Sequence, residues 1–113
     1  MANVLNFNTT KKQYLTVTLP DEKNTTLMVC MPTKALFEEL DSIKHSFGSA
    51  NNNESLNQAL EDLYDLVARI MSRNKGGVKI TKEDLENCLD FEDIVLFFQS
   101  YLTFVNGVKT SKN

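Results

Sequence analysis

This chain of 113 residues is poor in the side chains that carry chemistry. It has one histidine, His45, and two cysteines, Cys30 and Cys88. His45 precedes Ser46 on a helical stretch, where neighbours point about 100° apart, so the two cannot work as base and nucleophile. One histidine and two distant cysteines fall short of the ligand set that zinc needs. The cysteines read instead as separate, reduced thiols. Gly76-Gly77-Val78-Lys79 lacks the Gly-Lys-Ser/Thr ending of a phosphate loop and follows a helix rather than a strand. A formal charge of −3 leaves no broad basic field for nucleic acid or an anionic membrane. Lys75, Lys79 and Lys82 gather near the Gly-Gly bend, but Glu83, Asp84 and Glu86 follow at once. No apolar run approaches the roughly 18 residues of a membrane span. The start, MANVLNFNTTKK, has no apolar core behind a basic stretch, so it does not read as a secretory signal. The Asn-x-Ser/Thr triplets at Asn8, Asn24 and Asn53 are then chance matches. These absences lead to an expectation of no enzyme activity, cofactor, metal, nucleic acid or membrane, and of a cytosolic setting.

What is present is globular. Apolar residues make up 42% and charged residues 24%, enough apolar content to bury one core. The expected class is α+β, mainly α: an N-terminal β-hairpin followed by three to four helices packed around the C-terminal helix. Residues 1–12 read as a flexible polar arm carrying Val4, Leu5 and Phe7. A single globular domain follows over 13–107, then a polar tail over 108–113. The hairpin spans 13–31. Leu15, Val17 and Leu19 alternate with threonines, Pro20 ends the first strand, and Asp21 and Asn24 make the turn. Leu27, Val29 and Met31 share one face of the second strand. A lone hairpin is marginal in water, so it must pack on helices, and any unpaired edge is a docking site for a second subunit.

Pro32 breaks the strand and Thr33 caps a helix over 34–47 with the stripe Leu36, Leu40, Ile43 and Phe47. Gly48 is expected to stop it, and residues 48–54 to form an Asn-rich mobile linker. A second helix over 55–73 is expected to open with a capping box at Ser55 and Gln58 and to close at Gly76-Gly77. Residues 78–80 form an extended bridge that could pair with the hairpin. Thr81 with Asp84 predicts a capping box for a short helix over 82–89. Asp90, Glu92 and Asp93 suit capping and dipole matching at the next helix better than a cation site. That last helix covers 91–105 and ends at Asn106-Gly107. It is apolar nearly all round: Ile94, Phe98, Tyr101 and Val105 form one stripe, Phe91, Val95 and Leu102 a second, and Phe97 and Phe104 another side. One reading buries all of it. The sharper reading leaves Phe97 and Phe104 as a contact surface.

The run GGVKITKEDLENCLDFED sits where a Gly bend, a Thr cap, acids, spaced leucines and an Asp turn succeed one another. Together with the Thr-rich hairpin, the Pro-capped helix and the Leu-rich helix before it, this order resembles the tail assembly chaperones of long-tailed bacteriophages and prophages of Gram-positive bacteria. The resemblance covers about residues 14–106 and is a pattern of elements with no catalytic motif. It implies a non-enzymatic protein that coats the tape measure protein, keeps its apolar helical segments soluble and helps recruit tail tube protein. It further implies self-association, a place in the host bacterial cytoplasm, absence from the mature virion, and the short form of a frameshifted pair. By this likeness Phe97, Tyr101 and Phe104, with Val29 and Met31 at the hairpin edge, are the expected protein-binding residues. The linker over 48–54 has no counterpart role in the family. The alternative is a small phage- or mobile-element regulatory or adaptor domain that binds one folded partner. A small-molecule binder ranks last, because the final helix offers few polar residues for a pocket.

Overall fold

The computed structural model describes residues 4–7, 11–49 and 51–110, with the side chains of 108–110 excepted. The parts of the expected arm and tail at 1–3, 8–10 and 111–113 lie outside the described residues. Among the described residues the chain is α+β and mainly α, a two-stranded antiparallel hairpin followed by four helices.

Alternation makes the hairpin. β1 (Leu15–Thr18) pairs with β2 (Thr26–Val29) in the register Leu15 to Val29 and Val17 to Leu27. Leu27 and Val29 are buried while Thr26 and Met28 face out, the two-residue period of a half-buried strand. Asp21 holds the turn: its carboxylate accepts from the Thr25 N–H at 2.9 Å and the Thr25 hydroxyl at 2.7 Å. Those bonds keep its pKa below the usual aspartate range. Asn24 takes φ 49°, a left-handed turn position that asparagine tolerates.

The expected helices form, with longer bounds in three cases. α1 (Lys34–Ser49) starts where the Leu36 N–H donates to Thr33 Oγ1 at 3.2 Å. It runs through Gly48, because one glycine costs only about 1 kcal/mol in a helix and the buried Leu36, Leu40 and Ile43 outweigh it. α2 (Asn53–Ser72) is capped by Asn52, whose side chain accepts from the Ser55 N–H at 2.7 Å. Ser55 is therefore inside the helix rather than its cap. The expected seven-residue linker shrinks accordingly, since both helices extend into it. α3 (Lys82–Cys88) carries the expected capping box of Thr81 and Asp84. Asp90 and Asp93 make the same reciprocal pair at the start of α4 (Phe91–Thr110), at 2.9 and 3.1 Å. α4 passes through Asn106-Gly107, which does not end it.

Between α2 and α3 the chain returns to the sheet. The Cys30 N–H donates to the Arg73 carbonyl at 2.7 Å and the Lys75 N–H to the Met28 carbonyl at 3.0 Å, with Val29 bridging Asn74. The hairpin's partner is thus the segment just after α2, not the bridge over 78–80. Ile80 closes that loop instead: Ser72 Oγ donates to its carbonyl and accepts from its N–H, both at 2.9 Å. Gly77 takes φ +70°, which a residue with a Cβ adopts only under strain.

One buried apolar cluster joins all six elements. α2 is its hub and touches β2, α1, α3 and α4. Its Leu63, Leu66, Val67, Ile70 and Met71 are buried. The C-terminal helix is enclosed on one side only, through Ile94, Phe97, Tyr101 and Val105. Arg69 clasps α1 to α2 by donating to both Glu39 oxygens, at 2.6 and 2.9 Å, and it pairs with Asp65 at 3.2 Å.

Candidate functional site

The five residues expected to bind protein lie in or against the core. Tyr101 and Val29 are fully buried, Phe97 is 7% exposed, and Phe104 and Met31 are half-buried. Phe97 stacks on Tyr101 with centroids 5.6 Å apart, and Phe104 tilts against the same ring at 6.0 Å. The Tyr101 hydroxyl donates to the Cys30 carbonyl at 2.7 Å, and burial raises its pKa far above the ordinary tyrosine value. The structure brings Phe97, Tyr101 and Phe104 together as a stacked group that ties α4 to the end of β2. It does not present them as a free face. Val29 loses its expected edge role for a separate reason: the segment 73–75 already occupies that side of β2.

The open apolar side of α4 is the second stripe, joined by Phe98 from the first. Phe91, Val95, Phe98 and Leu102 follow spacings of four, three and four, so they share a face. With Ile43 and Phe47 of α1 and Leu63 of α2 they line a groove of about 410 Å³. Its polar members are Lys44 and Gln99 alone. Phe47 and Phe91 stack with centroids 6.5 Å apart, and Phe91 remains 47% exposed. α1 and α4 form the two walls and α2 the floor. An open apolar groove between helices is the form that receives the apolar side of another helix.

A larger depression of about 730 Å³ lies beneath the hairpin turn, but its walls mix Asp21, Glu22, Lys23, Lys79 and Asp84. Those opposed charges stay hydrated, whereas the α1–α4 groove gains from losing its water. Elsewhere, Leu96 is the most exposed large apolar residue of α4, at 62%. Sequence reasoning passed over it because it stands alone among Glu92, Gln99 and Thr103 on the polar side of the helix.

His45 and Asp41 form an exposed pair at 3.7 Å one helical turn apart. Tyr64 donates to the Leu89 carbonyl at 3.0 Å, and burial first, then the nearby Asp90 charge, raises its pKa. Burial likewise raises the Cys88 thiol, the opposite of an activated nucleophile. Both cysteines are free and half-buried. Among the described residues no three His, Cys, Asp or Glu side chains gather as a metal cage. No helix there is long and apolar enough to cross a membrane. Compared with protein-family models, curated proteins and solved structures, the chain matches none.

Proposed function

We propose that this chain is a non-enzymatic tail assembly chaperone of a long-tailed phage or prophage. It binds apolar helical segments of a tape measure protein, helps recruit tail tube protein, and self-associates. It acts in the host bacterial cytoplasm and is left out of the mature virion. The observation that carries this reading is the groove between α1, α2 and α4, whose lining is apolar apart from Lys44 and Gln99. A protein that keeps apolar helices in solution needs such a groove and needs no reactive group. The order of elements, from the Thr-rich hairpin to the capped final helix, supports the same reading.

The test is co-expression with a tape measure protein of a long-tailed phage, with the mass of the complex read by light scattering. A soluble complex holding several copies of this chain per client is expected. A client that stays insoluble while this chain elutes alone would sink the reading. A one-to-one complex with a folded protein would favour the adaptor alternative. The charged double variant Phe91→Asp with Val95→Asp is expected to lose the client at least tenfold while keeping a cooperative melt, because Phe91 is exposed and Val95 only half-buried.

A further inference from the structure

Among the described residues, Lys44 is the one charge in the lining of the groove between α1 and α4, and it is exposed. The ion pairs of α1 there join Lys34 to Glu38, His45 to Asp41 and Glu39 to Arg69, and none takes Lys44. Gln99, on the α4 side, is a neutral amide that can donate or accept. Lys44 lies one turn before Phe47, whose ring stacks on Phe91. The charge therefore sits beside the aromatic end of the groove.

Anything that fills the groove meets that ammonium. The wall that α4 contributes, from Phe91 to Leu102, extends over about 16 Å, roughly three turns of helix. A helix laid along it buries an apolar stripe of i, i+4, i+7, i+11 spacing. A residue flanking that stripe, beside the Phe47–Phe91 stack, then faces Lys44. An apolar or basic flank at that point strips water from the ammonium and returns nothing. A carboxylate returns a charge-assisted hydrogen bond.

We propose that the occupant is an amphipathic helix of a partner protein whose apolar stripe is flanked by Glu or Asp, with one carboxylate pairing with Lys44. The inference rests on the helix-binding reading given above and adds a selection rule to it: among apolar helical segments, the groove takes those with acidic flanks. The formal charge of −3 on the chain works against that choice. A preference for acidic helices is thus a local effect of Lys44, opposed to the field of the whole molecule.

The test uses three synthetic helical peptides that share one apolar stripe, flanked throughout by Glu, Gln or Lys. Their binding to the full chain is read by fluorescence anisotropy. The Glu peptide is expected to bind about three- to tenfold more tightly than the Lys peptide at low salt, with the Gln peptide between them. The gap narrows as ionic strength rises past about 0.1 M. Lys44→Glu is expected to reverse the order, and because the position is exposed the variant keeps its fold, which a melt checks. Equal binding, an order led by the Lys peptide, or an order that Lys44→Glu leaves unchanged overturns the acidic-flank inference and leaves helix binding intact. Failure of all three peptides to bind, or binding indifferent to Phe91→Asp, removes the groove as a helix site and overturns both. A chain that dimerises by itself and becomes monomeric in Phe91→Asp assigns the groove to a second copy and also overturns the inference.

Discussion

Phe97 and Leu96 are neighbours with opposite fates. Phe97 is 7% exposed and stacked on Tyr101, while Leu96 is 62% exposed. Truncating a buried phenylalanine costs its transfer energy plus that of the cavity left behind. Phe97→Ala is therefore expected to lower stability by about 3–5 kcal/mol in denaturant titration. Leu96→Ser should stay within about 0.5 kcal/mol of the parent. Equal losses at the two positions would mean that α4 is rotated from the orientation described. The same pair shows where one-dimensional reading stops. Seven residues separate Phe97 from Phe104, which suggested a face of their own. On the helix that face adjoins the one carrying Tyr101, so the core simply widens to include it. Which part of a broad apolar arc is covered depends on the neighbouring elements, and periodicity holds no information about them.

At the scale of the element, caps were legible because they are local. Thr81 with Asp84 and Asp90 with Asp93 each close a reciprocal pair within three residues. Stops were less legible. Gly48 and Asn106-Gly107 carry modest helix penalties that the surrounding helix overcomes, and Asn52 displaced Ser55 as a cap because both positions hold a suitable side chain. The α3 box gives a pH prediction. The Thr81 backbone N–H first, then its hydroxyl, hold Asp84 below the usual aspartate range. A depressed folded pKa means stability that is present above the unfolded value of about 3.9 and lost as pH falls through the lower folded value. The Glu39 carboxylate, lowered mainly by its bond to Arg69, works in the same direction. Melts from pH 6 down to pH 2 should fall steadily below about pH 4, and less steeply in Asp84→Asn. At neutral pH, Thr81→Ala should cost about 1 kcal/mol. An unchanged melt would mean that α3 forms without its cap.

At the scale of the whole molecule, the hub position of α2 sets cooperativity. The hairpin, α1, α3 and α4 each touch α2, so none has a core of its own to retain once α2 is lost. Far-ultraviolet circular dichroism reports the helices. Tyrosine fluorescence is weighted by the buried Tyr101 at the junction of α4 and β2. The two probes should trace a single coincident transition in denaturant. A hairpin signal lost ahead of the helices would show the sheet to be an appendage. The return of residues 73–75 to β2 was the least legible feature, because Arg73, Asn74 and Lys75 carry no apolar alternation and their attachment is made by backbone groups.

That return has a consequence for assembly. A sheet open at both sides can recruit strands without limit, and each addition regenerates a sticky end. Here the Cys30 and Lys75 amides consume one side internally. The sheet is left with a valence of one: a single added strand saturates it. Backbone pairing at that one edge would leave the described sheet without the second end that amyloid growth requires.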